Sequence, residues 1–192
     1  HKSVNNSNWT KHDPYIDNYY YNSISFVNET TGWISTYYGG ILKTTDGGGN
    51  WSLLTTGVTS TLYRIDMVDA NTGWFIGSSG TTRKTTDGGT TWTAQTPNYT
   101  STINWLQMIN ANTGFLCALS GNIRRTTDGG TNWDTIPTAI TTSLNSLSFI
   151  NANTGFVSGA TGVTLRTSNG GTTWSLYNTS ASTMNAIYSR HS

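Results

Sequence analysis

The chain has 192 residues, enough for one ordinary domain, and only 10% of them are charged, with a formal net charge of +1. Thr, Gly, Ser and Asn make up just over half of the sequence, and because they are weak helix formers they exclude a helical bundle. Eight Trp exclude a disordered chain, the small net charge gives no reason to expect a nucleic-acid partner, and no apolar run is long enough for a membrane span. The sequence therefore predicts an all-β domain with many turns.

In chain order, the predicted elements begin with a lone strand at about residues 7–13. Four similar units follow, at about residues 20–55, 61–96, 102–137 and 143–178, and a second lone strand is predicted at about residues 183–189. Within a unit, apolar residues recur at every second position, as at Ile24 and Phe26, which predicts strands rather than helices. Turns rich in Asn, Thr and Gly separate the strands, so each unit is predicted to be a four-stranded antiparallel meander.

Three columns of residues repeat at an interval of 41 residues. The first column is tryptophan: Trp51, Trp92, Trp133 and Trp174. The second is Asp or Asn: Asp46, Asp87, Asp128 and Asn169. The third is the glycine of a Thr-Gly-aromatic triplet: Gly32, Gly73, Gly114 and Gly155. Because the columns share one period without an insertion, the whole chain is predicted to be a single β-propeller domain of 41-residue blades.

Each unit also contains a segment that ends at the repeated tryptophan: Thr44–Trp51, Thr85–Trp92, Thr126–Trp133 and Thr167–Trp174. These segments resemble the Asp-box, or bacterial neuraminidase repeat, of the form Ser/Thr-x-Asp-x-Gly-x-Thr-Trp. Together with the Asn-x-Thr-Gly-aromatic turn, they resemble the photosystem II assembly/stability factor family of β-propellers. The resemblance implies a fold but no single function, because Asp-boxes occur in enzymes and in binding proteins alike.

The residue types of the Asp-box suit a structural role. A carboxylate can accept backbone N–H bonds across its own turn, glycine allows unusual backbone angles, and tryptophan fills the space between sheets. We therefore expect structural roles at these positions: Asp46, Gly48, Trp51, Asp87, Gly89, Trp92, Asp128, Gly130, Trp133, Asn169, Gly171 and Trp174.

The side chains that an enzyme of this fold would need are scarce. A sialidase-type site uses three arginines, a Tyr/Glu pair and an acid, but the only glutamate, Glu29, lies beside a predicted turn. Asp66 lies on an alternating strand and is expected to be exposed. The three histidines are near the termini, and the single cysteine cannot form a disulfide within the chain. The sequence therefore predicts a protein that is not an enzyme and has no cofactor and no metal site.

Two sets of residues are candidates for binding. A basic column recurs at 41 residues: Lys43, Lys84, Arg125 and Arg166. One interpretation is structural: the bases form a ladder or a salt bridge with a nearby carboxylate, or simply keep the third strand of each blade soluble. The other is a basic arc that binds an acidic peptide or an anionic glycan. Tyr37 and Tyr38 depart from the repeat, and aromatic platforms suit sugars and protein partners.

The two lone strands leave the ends of the array incomplete. The ring could close around a reduced fifth blade, the chain could be part of a longer array, or another copy could fill the incomplete blades, since unpaired strand edges are templates for association. The main hypothesis is a structural or binding propeller, extracellular or at the cell surface with its signal segment removed, that self-assembles into an oligomer or filament. The expected partners are other copies or another surface protein. The alternatives are an assembly-factor-like protein-binding propeller and a glycan-binding module.

Overall fold

The computed structural model describes residues 20–178 and 182–187, and nearly all the regular structure in them is β-strand. The strands form four sheets, each made of four consecutive antiparallel strands in simple meander order. The prediction of an all-β fold built from four-stranded antiparallel blades is therefore confirmed. The lone strand expected at about residues 7–13 lies outside the described residues.

Each sheet is one blade, and its strands follow one another from the inner edge of the blade to the outer edge. Blade 1 contains β1 (Tyr21–Phe26), β2 (Gly32–Thr36), β3 (Ile41–Thr44) and β4 (Ser52–Leu54). Blade 2 contains β5 (Leu62–Met67), β6 (Gly73–Gly77), β7 (Thr82–Thr85) and β8 (Thr93–Ala94). Blade 3 contains β9 (Ile103–Met108), β10 (Gly114–Ala118), β11 (Ile123–Thr126) and β12 (Asp134–Ile136). Blade 4 contains β13 (Leu144–Phe149), β14 (Gly155–Gly159), β15 (Thr164–Thr167) and β16 (Ser175–Asn178).

Apolar side chains hold the blades together face to face. Between blades 1 and 2, Trp33 and Ile41 pack with Ile65, Phe75 and Trp92 in one buried cluster. Equivalent clusters fill the spaces between blades 2 and 3 and between blades 3 and 4. Because both faces of a middle blade are covered in this way, its second strand is buried along its length, as in β6 and β10.

The innermost strands, β1, β5, β9 and β13, lie side by side in chain order. All four carry a register shift near their first residues, which is the signature of a β-bulge. An asparagine near the shift points to the next blade: Asn22 Nδ2 donates to the Leu62 carbonyl at 2.8 Å, and Asn104 Nδ2 donates to the Leu144 carbonyl at 2.8 Å. The bulge therefore ties neighbouring innermost strands together by side-chain hydrogen bonds.

Residues 182–187 lie against blade 4 in the place that the innermost strand of a further blade would take. The Met184 N–H donates to the Gly159 carbonyl at 3.1 Å, and Asn145 Nδ2 donates to the Met184 carbonyl at 3.1 Å. The Ile187 N–H donates to Ser146 Oγ at 3.2 Å. No strand is formed in the described part of this segment, for which a lone strand at about residues 183–189 was expected.

Candidate functional site

The Asp-box turns are held by the side chain of their own aspartate. In blade 1, Thr44 Oγ1 donates to Asp46 Oδ1 at 2.8 Å, and the Asn50 N–H donates to the same oxygen at 2.9 Å. The Gly48 N–H donates to Thr44 Oγ1 at 2.9 Å. These bonds, led by the one from the Asn50 backbone, stabilise the carboxylate and lower the pKa of Asp46 to about 2. The carboxylate is therefore ionised and engaged within its turn.

The same network recurs in the other three blades. Hydrogen bonds from Thr91 lower the pKa of Asp87 to about 2, and bonds led by the Asn132 backbone lower the pKa of Asp128. Asn169 forms the network without a charge, because its amide oxygen accepts from the Thr173 N–H at 3.0 Å. A neutral amide thus replaces the carboxylate with the turn intact.

In blades 2, 3 and 4, the tryptophan and glycine of the Asp-box lie where two blades meet. Trp92, Trp133 and Trp174 are buried between blades, whereas Trp51 is half-buried. Gly89 has a φ of +93°, and a Cβ there would lie 2.8 Å from Leu54 of the preceding blade, so only glycine fits without strain. The glycines Gly48, Gly130 and Gly171 also have positive φ.

The basic column reaches across the space between blades. Lys43 Nζ lies 5.1 Å from the Trp33 ring centroid and donates to the carbonyl of Gly88, in the Asp-box turn of blade 2, at 2.9 Å. Lys84 lies 4.9 Å from the Trp74 ring centroid in the equivalent place. Lys43 therefore joins the third strand of blade 1 to the Asp-box turn of blade 2 through a backbone carbonyl and not through a carboxylate. Binding of an acidic peptide or an anionic glycan by this column stays a prediction.

The last two members of the basic column behave differently. Arg125 lies 5.9 Å from the Phe115 ring centroid and donates to Thr172 Oγ1 of blade 4 at 3.4 Å. Arg166 is exposed on blade 4, where no further four-stranded blade follows in the described residues.

Tyr37 and Tyr38 lie at the turn between β2 and β3, and together with Tyr20 they form an exposed tyrosine cluster. The rings of Tyr20 and Tyr37 meet edge to face at 6.0 Å, and those of Tyr37 and Tyr38 at 5.2 Å. The Tyr37 N–H donates to the Tyr20 carbonyl at 2.9 Å, which fixes the turn against the start of β1. The three residues are 69%, 49% and 59% exposed in chain order, a large aromatic area in contact with water.

The tyrosine cluster belongs to the side of the blades where second and third strands connect, which we call the BC side. Tyr63 and Leu119, also exposed, lie on this side in blades 2 and 3. Tyr63 accepts a bond of 3.4 Å from Ser78 of the next turn, and Tyr99 donates to the Leu119 carbonyl at 3.1 Å. The opposite side consists of the Asp-box turns and is rich in Asp, Asn, Thr and Gly. The BC side is therefore the aromatic one.

Polar side chains of the innermost strands form a second feature, which the sequence analysis missed. One side chain per strand accepts a hydrogen bond from the backbone N–H of the next innermost strand: Ser25 Oγ from Met67 (3.1 Å), Asp66 Oδ2 from Met108 (2.6 Å) and Gln107 Oε1 from Phe149 (3.1 Å). These acceptors recur at 41 residues, so the repeat itself was the signal that could have found them.

Asp66 is half-buried, and the expectation that it is exposed was wrong. An innermost strand packs on neighbouring blades through both of its faces, so alternation does not place every second side chain in water. Burial raises the pKa of Asp66 to about 6, although the Met108 N–H and the nearby Arg64 act in the opposite direction. Arg64 Nε donates to the Leu106 carbonyl at 2.6 Å, and its guanidinium lies 3.7 Å from the Trp105 ring centroid.

Residues 20–178 and 182–187 contain no group of three or more His, Cys, Asp or Glu side chains placed to hold a metal ion. No helix in this part of the chain is long and apolar enough to cross a membrane.

The repeated turns and the blade packing define the class of protein, a β-propeller with Asp-box blades. Within that class, the family described as photosynthesis system II assembly factor YCF48 matches residues 50–109 and 98–183, which together are more than half of the chain. The chain belongs to this family, as its resemblance in sequence predicted.

Comparison with solved structures agrees on the fold. YCF48 from Cyanidioschyzon merolae superimposes with a TM-score of 0.70 at 20% identity, over 88% of this chain and 59% of that protein, so this chain spans less than two thirds of that relative. A structure of YCF48 bound to D1 peptide has a TM-score of 0.58 at 16% identity, over 81% of this chain and 80% of that one. A GH74 enzyme from Niastella koreensis has a TM-score of 0.68 at 18% identity, over 81% of this chain and 30% of the enzyme. No curated protein matches the sequence.

The family match overturns one expectation. An extracellular or cell-surface location was predicted, but the matching family is that of a photosystem II assembly factor, which acts in the chloroplast or the cyanobacterial cell. The prediction was wrong because a single cysteine and Asp-box turns are compatible with more than one compartment, so neither feature indicates a location.

Proposed function

We propose that this chain is a non-catalytic, protein-binding propeller that takes a peptide segment of its partner on the BC side. The observation that carries the proposal is the tyrosine cluster of Tyr20, Tyr37 and Tyr38, which holds three exposed rings in mutual contact. The family supports a protein-binding role, since one solved relative is described as YCF48 bound to D1 peptide.

The tyrosine cluster has the chemistry of a protein-binding surface. Tyrosine rings bury a large apolar area at a low cost in side-chain entropy, and their hydroxyls remain available for hydrogen bonds. Edge-to-face packing keeps the rings of Tyr37 and Tyr38 at a large mutual angle, 77°, so that an apolar side chain of a partner can pack against the exposed face of one ring and the edge of the other. No charged residue belongs to the cluster, and binding there should depend little on salt.

The contacts of the carboxylates support the absence of catalysis. Glycoside hydrolysis requires two carboxyl groups that face each other across the substrate. Asp46, Asp87 and Asp128 are each bonded within their own turns. Asp66 has a raised pKa, but its neighbours in the same column are Ser25 and Gln107, which cannot act as the second acid. The matching family is itself non-catalytic.

The D1 peptide is the natural first probe of the proposal. We expect saturable binding of that peptide in isothermal titration calorimetry, and we expect the double variant Tyr37→Ala/Tyr38→Ala to weaken it by about tenfold or more, because buried aromatic anchors carry most of the energy of an interface. Ile150→Ala is the control, since Ile150 is an exposed apolar residue between β13 and β14, on the side of the blades opposite to the tyrosine cluster.

Two results would overturn the proposal. Absence of saturable binding by the unmodified chain would exclude the D1-type peptide as its partner. Equal losses in the double variant and in the Ile150 control would show that the tyrosine cluster is not the binding surface.

A further inference from the structure

The three contacts between consecutive blades are built from residues at the same repeat positions. In blades 2, 3 and 4, the preceding blade covers one face, which we call the leading face. The clearest marker is the apolar residue in the middle of the innermost strand. Ile65, Leu106 and Leu147 are at most 1% exposed, whereas Ile24, the equivalent residue of blade 1, is 59% exposed. The leading face of blade 1 is therefore open in the described structure.

Other residues of that leading face agree. Phe26 is 43% exposed, although its equivalents Met67, Met108 and Phe149 are buried. Trp51 is half-buried and touches only the edge of Phe26 among the described aromatic rings, at 6.1 Å. An apolar groove of about 330 Å³ opens on the same face, lined by Tyr21, Asn22, Ser23, Ile24 and Ile34.

The trailing face of blade 4 carries the complementary parts. In blade 1 the trailing face presents Trp33 and Lys43, which bind the Asp-box turn of blade 2. Blade 4 has Phe156 and Arg166 at the same repeat positions, and Arg166 is exposed. Tyr177, beside Phe156 at 5.5 Å, is also exposed, and a cavity of about 210 Å³ lies between Arg166 and Tyr177.

Charge distinguishes the two open faces from the three closed interfaces. The side chain of Lys43 reaches a part of blade 2 that contains Ala70. Both the Ala70 carbonyl and Lys43 Nζ lie beside Gly88. The residue at the Ala70 position in blade 1 is Glu29, the only glutamate of the chain, and it is exposed next to the Asp-box turn. An arginine on one open face thus matches a glutamate on the other, a pairing that none of the described internal interfaces contains.

A four-stranded blade that presents an aromatic ring, a base and an outer strand is present on the trailing side of every copy.

We propose that two copies of this chain associate head to tail, with the trailing face of blade 4 in one copy packed on the leading face of blade 1 in the other. Arg166 pairs with Glu29 across this contact, while Phe156 and Tyr177 cover Ile24, Phe26 and Trp51. The contact is heterologous, so further copies extend the array or close it into a ring. This inference is independent of the peptide-binding function proposed above.

The segment of residues 182–187 competes with the incoming copy. It uses Asn145 and Ser146 of blade 4, the positions that in blade 1 (Asn22 and Ser23) bind β5. Met184 and Ile187 are half-buried side chains of this segment. Association therefore requires β1 of the second copy to displace this segment.

Charge reversal tests the pairing in the full chain by analytical ultracentrifugation. We expect the unmodified chain to exceed the monomer mass of 20.8 kDa increasingly with concentration. Glu29→Lys alone and Arg166→Glu alone should each raise the concentration needed for association by about tenfold. An equimolar mixture of the two single variants should restore association, because each altered face then meets a complementary face on the other variant. Asp134→Lys reverses an exposed acid on the edge strand β12 and serves as the matched control.

The same experiment distinguishes contacts between chains from contacts within one chain. If the double variant Glu29→Lys/Arg166→Glu behaves like the unmodified chain but the mixture of single variants does not recover, the two faces meet within one copy and the proposal is wrong. A mass of one copy at every concentration also overturns it.

A second variant tests the competition by the C-terminal segment. Met184→Pro removes the N–H that bonds the Gly159 carbonyl and should loosen the segment, which lowers the concentration needed for association. Ala186→Pro, at an exposed position of the same segment, is the control. Unchanged association in the Met184 variant would contradict the competition.

Discussion

Asp66→Asn should stabilise the protein at neutral pH, because burial makes the charged form of Asp66 unfavourable. The pKa of Asp66 is raised from 3.8 to about 6 in the folded protein. A raised pKa means that the folded state binds the proton more tightly than the unfolded state does. The resulting stability is fully present below pH 3.8 and is lost as the pH rises through about 6.

The magnitude follows from the size of the shift. About two pKa units at 1.36 kcal/mol each give an upper value of about 3 kcal/mol, and partial contact with water reduces the expected effect to about 1–2 kcal/mol. Asparagine removes the charge and keeps an oxygen that accepts the Met108 N–H, as Gln107 does for Phe149 in the next blade. The free energy of unfolding of the variant should therefore exceed that of the unmodified chain at pH 7 and match it near pH 4.

Urea unfolding followed by tryptophan fluorescence between pH 4 and pH 8 measures this difference. Asp69→Asn is the matched control: hydrogen bonds from Asn71 and Thr72 lower the pKa of Asp69, and Asn110 fills the equivalent turn position in blade 3. That control should leave the slope between pH 4 and pH 7 unchanged. An Asp66→Asn variant with the same slope as the unmodified chain, or with lower stability at pH 7, would refute the reasoning.

Four further substitutions test the contacts between and within blades, each by urea unfolding. Trp133→Ala should lower the free energy of unfolding by about 3–5 kcal/mol, and Trp51→Ala, at a half-buried ring, by clearly less; equal losses would contradict the open leading face of blade 1. Thr126→Val removes the hydroxyl that bonds both Asp128 and the Gly130 N–H, and should lower the free energy of unfolding by about 1–3 kcal/mol. An unchanged free energy of unfolding would show that the turn network does not stabilise the fold. Lys43→Met keeps the apolar stem and removes the hydrogen bond to Gly88, so the free energy of unfolding should fall by no more than about 2 kcal/mol. A larger loss would show that more than this contact depends on the charge.

Much of the fold could be predicted from the sequence because the repeat makes each prediction four times. The 41-residue spacing of Trp51 and its equivalents predicts the blades, and alternation at Ile24 and Phe26 predicts their innermost strands. The exposure of Ile24 and Phe26 could not be predicted. Periodicity shows which residues form an inter-blade face, but it does not show whether a partner covers that face.

The contacts of the candidate residues were harder to predict from the sequence than the fold. The spacing of Lys43 places it on β3, but its bond to Gly88 depends on how blade 2 lies against blade 1. The exposure of Asp66 was predicted wrongly because the rule of alternation assumes that one face of a strand is in contact with water. Tyr37 and Tyr38 were found because they interrupt a repeat, and that signal is independent of packing. The role of these two residues in binding stays a prediction.

Hydrogen–deuterium exchange with and without the D1 peptide tests the central claim, binding on the BC side, most directly. The account predicts slower exchange in the segment of residues 34–41, which contains Tyr37 and Tyr38, and unchanged exchange in the Asp-box turns such as residues 85–92. Protection of the Asp-box turns with no change at residues 34–41, or no protection anywhere at saturating peptide, would contradict it.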